Sequence, residues 1–174
     1  MATMTTVTRC RTKPVQFHYP PTVTSPAGTS ALGLSVTAID HVGIAVPDLD
    51  EAIAYYRDTF GFVVTHVETN EEQGVREAML ATEGAPEGAT AIQLLAPLNE
   101  QSTIAKFIGT RGAGIQQIAY RVADIDAASE AIRARGLRLL YPHPRHGTAN
   151  SRVNFVHPKD AGGVLVELVE PAGR

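Results

Sequence analysis

One cysteine and no tryptophan occur in the 174 residues. A lone Cys10 cannot close an internal disulfide, so nothing ties the fold to an oxidising compartment. Nor can it build a thiolate metal centre. An excess of positive charge is also missing: the formal net charge is -3. With no basic run beside it, that charge excludes the electrostatic footprint of a nucleic-acid binder. No segment approaches the roughly 18 consecutive apolar residues that a membrane helix needs. Acids are absent before Asp40.

Residues 1–35 are instead rich in Thr, Ser, Pro and Gly. They hold no continuous apolar stretch of the kind a secretory signal carries. Arg9, Arg11 and Lys13 without acids weakly resemble an organelle transit peptide. The threonines and Pro14, Pro20, Pro21 and Pro26 oppose the amphipathic helix such a peptide requires. The expectation is a disordered tail on a cytoplasmic protein. Residues 36–174 have the apolar content of one globular domain.

That domain is written twice. "AIDHVGIAVPDLD" (38–50) returns about 75 residues later as "GIQQIAYRVADID" (114–126), too few copies for a solenoid. In the first copy a strand over 37–46 leads to a helix over 48–60, where Leu49, Ile53, Tyr56 and Phe60 recur at helical spacing. Asp48 can cap its start and Gly61 can end it. Strands come next at 62–69, 74–82 and 89–96, with a turn around Pro86, then a short helix over 102–108. The second copy repeats the plan: a strand over 114–122, a helix over 124–135 and strands at 137–141, 152–157 and 163–169. The modules run from about 37 to 98 and from 113 to 171.

A duplication brings equivalent positions to one cavity. On the first strands these are His41 and Gln117. On the last strands, "IQLLAP" and "VELVEP", they are Gln93 and Glu167. Side chains alternate across a strand, and Glu167 interrupts an apolar run on both faces. A buried carboxylate needs a cation, a proton or donors. An imidazole, a carboxylate and two amides form a set suited to a hard or borderline divalent metal. Glu77 of "GVREAML" shares its face with Val75 and Met79, a second carboxylate on an apolar side. By parity, Gln116 should face away from Gln117 and the cavity.

The stretches "IDHVGIAVPDLDEAIAYY", "EEQGVREAML", "IQLLAPLNEQSTIAKFI", "GIQQIAYRVADIDA", "RLLYPHPRHGT" and "HPKDAGGVLVELVEP" resemble the methylmalonyl-CoA epimerase family. That family belongs to the vicinal oxygen chelate superfamily, with the glyoxalases. The resemblance spans residues 37–171. It implies an α+β fold, in which two tandem βαβββ modules form a cup-shaped mixed sheet around a divalent metal. It implies His41, Gln93 and Glu167 as metal ligands, with Gln117 at the fourth position, where the family usually has histidine. It implies Glu77 as the catalytic base, and Glu167 as second acid/base as well as ligand. Cobalt is the first expectation, with manganese, zinc, nickel and magnesium also in range.

The implied substrate is a 2-methylmalonyl thioester of CoA, and the implied assembly is a homodimer. Neither nucleic acid nor membrane is an expected partner. Two alternatives stand beside the epimerase: a non-catalytic binder of an acyl-CoA or small acid, and an enzyme for another 2-alkylmalonyl thioester. Arg76, Lys106, Arg145, Arg152 and Lys159 are candidate phosphate contacts, none assigned.

Overall fold

The computed structural model describes residues 34–173. The expected tail, with Cys10, lies outside the described residues except for its last two positions. Of these, Leu34 packs against a core cluster. No helix among the described residues is long and apolar enough to cross a membrane.

The first module comprises β1 (Val36–Ala45), α1 (Leu49–Phe60), β2 (Phe62–Asn70), β3 (Val75–Thr82) and β4 (Ala91–Pro97). After α2 (Thr103–Arg111) the second module begins: β5 (Gly114–Val122), α3 (Ile125–Ala134), β6 (Arg145–His146), β7 (Arg152–Val156) and β8 (Leu165–Glu170). The helix starts are set by their caps. Asp48 accepts from the Glu51 N–H at 2.9 Å, and Asp124 accepts from the Ala127 N–H at 2.9 Å. Gly61 closes α1 at a φ of 72°, a left-handed turn that glycine adopts without strain.

All eight strands form one curled sheet in the order β2-β3-β4-β1-β5-β8-β7-β6. Within each module the first and last strands pair in parallel, β1 with β4 and β5 with β8. The modules meet where β1 and β5 run antiparallel. This is the expected α+β cup of two βαβββ modules.

Strand alternation sends one face outward to the helices and the other into the cup. Ala78, Leu80, Leu94 and Ala96 pack beneath α1, and Val122, Val156 and Leu168 beneath α3. The opposite parity lines the cup. There Ala45, Val75 and Leu95 meet Ile104 of α2 at one end. Ala119, Val153, Phe155 and Val169 form the apolar floor on the second module's side.

One expected strand is corrected. Residues 137–141 run beside β7 but make a single bridge, Leu139 to Val156, and the strand paired with β7 on that edge is the two-residue β6. Pro142 and Pro144 remove two N–H donors and prevent a continuous ladder. Asn154, fully buried, replaces part of it. Its side chain accepts from the Tyr141 N–H at 3.3 Å and donates to the Tyr141 carbonyl at 3.1 Å.

Candidate active site

Four strands bring the four matched positions together. Gly43 of β1 pairs with Gln93 on one side and Gln117 on the other. Ala119 of β5, the position equivalent to Gly43, pairs with His41 on one side and Glu167 on the other. A small residue thus stands between each pair of polar ones. Space for a side chain at residue 43 is lacking, since an added Cβ would lie 2.6 Å from Gln117 Cγ.

The side chains converge as the register requires. His41 Nε2 lies 3.2 Å from Glu167 Oε2. The Gln117 amide donates to Glu167 in a very short contact, and to Gln93 Oε1 at 3.3 Å. Gln93 donates to Glu77 at 3.0 Å and to the Thr148 hydroxyl at 2.9 Å. Thr148 donates to the other Glu77 oxygen at 2.7 Å. His41, Glu77 and Gln93 are each 3% exposed, Glu167 5% and Gln117 7%, so the network is buried. One cavity touches Glu77, Gln93, Gln117 and Glu167 together.

Partners behind the site set its charge. Asp40 binds His41 Nδ1 at 3.0 Å and pairs with Arg121 at 2.7 Å. Burial opposes a charge on His41, yet hydrogen bonds and negative charge from Asp40 and Glu167 outweigh it and lift its pKa to about 9. Asp40 is held below the ordinary carboxylate range: burial opposes this, and His41 and Arg121 prevail. Burial, above all, raises the Glu77 carboxyl to about 7, with Glu68 and Glu167 adding to it and the Thr148 hydroxyl opposing. Glu68 faces Glu77 across β2 and β3. Against its own burial, His66 at 2.5 Å and the Ala149 N–H at 3.1 Å hold Glu68 ionised, so the shared proton falls to Glu77.

The structure brings all five sequence-chosen residues to one place. Gln116 departs from expectation. A register shift between Gly43 and Ile44 makes it an extra residue of β5, and it lines the cavity beside Gln117 instead of facing away. Strand parity is a valid guide only while the ladder is regular. Asp40, Glu68, Thr148 and Arg121 join the site without a signal of their own in the sequence. Glu68 is visible there only as one more acid on an edge strand, and Thr148 sits in a hairpin tip that no periodicity reaches. Of Arg76, Lys106, Arg145, Arg152 and Lys159, only Arg145 lines this cavity. It lies 4.3 Å from the Tyr141 ring centroid and pairs with Glu72. Arg76 is engaged by Asp50 at 2.8 Å and Arg152 by Asp126 at 2.7 Å.

A model of the glyoxalase/bleomycin resistance protein/dioxygenase superfamily matches residues 40–155. The ethylmalonyl-CoA/methylmalonyl-CoA epimerase of Cereibacter sphaeroides is 41% identical over 132 residues, 75% of this chain and 95% of that protein. The chain belongs to the methylmalonyl-CoA epimerase family. A crystal structure of methylmalonyl-CoA epimerase from Mycobacterium tuberculosis is similar at 56% identity with a TM-score of 0.77, covering 84% of this chain and 95% of that one. A variant of the Streptomyces coelicolor methylmalonyl-CoA epimerase, in complex with 2-nitronate-propionyl-CoA, is similar at 49% identity with a TM-score of 0.76. That match covers 80% of this chain and 100% of that one.

The family implies a divalent metal, and the donor set tests the fit. No group of three or more His, Cys, Asp or Glu side chains among the described residues is placed to hold one. His41 and Glu167 supply two strong donors, and the amides of Gln93 and Gln117 complete the set within hydrogen-bond reach. Gln117 now turns its NH2 inward. Turning the amide over presents oxygen instead. The set then fits a cation that accepts neutral oxygen donors.

Proposed function

We propose that this chain interconverts the 2R and 2S forms of methylmalonyl-CoA. The observation that carries the reading is a pair of buried carboxylates, Glu77 and Glu167, contributed by different modules to one cavity. Inversion at carbon needs proton removal on one face and return on the other. A thioester and a carboxylate flank the α-carbon and acidify its proton.

Glu77 takes that proton, breaking the C–H bond, and the electron pair passes into the enolate. Its pKa near 7 suits transfer in either direction at neutral pH. Glu167, once it has taken up a proton from solvent, delivers it to the opposite face. Glu77 then releases its proton to solvent, and the reverse reaction exchanges the two roles. Thr148 and Gln93 hold the Glu77 oxygens in place. His41, Gln93, Gln117 and Glu167 would hold the divalent metal. When bound, that metal supplies positive charge for the developing enolate oxygens. Cobalt leads our expectation, and the two amides widen the range toward manganese and magnesium.

Purified protein should exchange the α-proton of methylmalonyl-CoA with D2O and scramble its C2 configuration, with metal content measured on the same sample. Exchange without scrambling, or neither, would overturn the reading. One observation favours a second reading, a non-catalytic acyl-CoA binder: the Gln117 NH2 satisfies Glu167 without any cation. Binding of the CoA ester without exchange, after added cobalt or manganese, would select it. Relative rates on ethylmalonyl-CoA would separate the third reading, another 2-alkylmalonyl thioester. Edge strand β2, with Val63, Val64 and Val67 exposed, supports assembly as a homodimer.

A further inference from the structure

Each module carries an irregularity one residue before its candidate ligand position. In β1 the register shifts between Ile39 and His41, at Asp40; in β5 the shift falls at Gln116. The two bulge residues are pseudo-symmetric, and they differ in how they are satisfied. Asp40 is fully engaged by His41 and Arg121. Gln116 Oε1 is buried and has no hydrogen-bond partner. A buried acceptor without a donor is costly and calls for an explanation. The cavity's lining includes donor side chains such as Thr103, Tyr141 and Arg145, and none of them reaches this oxygen.

The geometry points to Gln116 as the acceptor for the first amide N–H of the pantetheine arm of the bound CoA ester. This rests on the epimerase proposal. The substrate's carboxylate, thioester carbonyl and phosphates are acceptors at neutral pH and cannot satisfy Gln116 Oε1. The first N–H beyond the thioester sulfur belongs to that amide, two methylenes away. Gln116 is the immediate neighbour of Gln117, and the bulge turns it toward the same cavity. The residue therefore reads the carrier arm next to the acyl group, and it selects a pantetheine thioester over an alkyl one.

Two short substrates test this: the N-acetylcysteamine thioester of methylmalonate, which keeps the amide, and an S-pentyl thioester, which lacks it. The readout is the ratio of their kcat/KM values for α-proton exchange. In Gln116→Leu, and independently in Gln116→Met, that ratio should fall about fivefold, the worth of one neutral hydrogen bond. Thermal melting checks that each variant is folded. A ratio unchanged in both folded variants, or an equal loss on both thioesters, overturns the assignment. Absence of exchange by the unaltered protein on either thioester and on methylmalonyl-CoA overturns the epimerase reading, and this assignment with it.

Discussion

Gly43 and Gln117 face each other across β1 and β5, and a Cβ at residue 43 would come within 2.6 Å of the glutamine's Cγ. The glycine makes room for the amide that stands where the family usually has an imidazole. Gly43→Ala should push Gln117 out of the network. We expect a loss of about 1–3 kcal/mol of stability from overpacking. We also expect at least a tenfold drop in α-proton exchange. Melting curves and exchange rates check both, and a variant with unaltered exchange would show that Gln117 has no fixed place in the site.

Gln117→His tests the metal proposal directly. An imidazole favours cobalt and zinc over magnesium more strongly than an amide does. Chelator competition should give tighter cobalt and zinc binding than in the natural chain. His41→Ala should lower metal content. Equal metal content in His41→Ala and the natural chain would sink the assigned site.

Glu77 links activity to pH. Its proton must leave before it can act as a base, so exchange should rise with pH through about 7. Glu77→Gln should lower exchange by about 100-fold or more. The stability effect has the opposite sign. The folded state binds this proton more tightly than the unfolded chain, whose pKa is near the ordinary 4.5. Stability therefore falls as pH rises from about 4.5 through about 7, and the penalty persists above that. At pH 8, Glu77→Gln should be the more stable protein by about 1–2 kcal/mol, with the gap closing below pH 5. Denaturant titrations across that range check the sign.

His41 works the other way. The stabilisation from its paired charge is complete below its ordinary pKa of 6.5 and is lost as pH rises through about 9. A metal at Nε2 displaces the same proton, so metal affinity should increase with pH over that interval. Isothermal titrations at three pH values would show it, and a flat profile would refute it.

The hairpin tip that carries Thr148 is strained. Ala149 and Asn150 both adopt left-handed backbone, at φ 52° and 62°. The turn closes with the Ser151 N–H on the Thr148 carbonyl at 3.2 Å. Such two-residue turns favour glycine. Ala149→Gly should raise stability by about 1 kcal/mol, measured by denaturant unfolding. A loss of stability would show that the tip is held by contacts outweighing its strain.

Much of the fold and site is legible from the chain alone. The duplication, the helix cap at Asp48, and the alternation that buries Glu77 and Glu167 are local, so periodicity and capping chemistry reveal them. The same local logic fails at two places. Residues 137–141 have strand-like composition, yet Pro142, Pro144 and the side chain of Asn154 replace the ladder with irregular pairing. Gln116 has outward parity, yet the bulge turns it into the cup.

The sequence by itself determined that two βαβββ modules exist and that each offers polar residues at matched positions. Residue order and hydrophobic period carry that information, because both act within one element. Only the tertiary structure decided how those residues meet. The antiparallel pairing of β1 with β5 sets Gly43 and Ala119 between the polar pairs. The β2–β3 register puts Glu68 opposite Glu77, and a strained hairpin from the second module delivers Thr148 to the first module's Glu77. Those contacts join residues distant in sequence, and their geometry comes from strand register and bulges that no local pattern encodes.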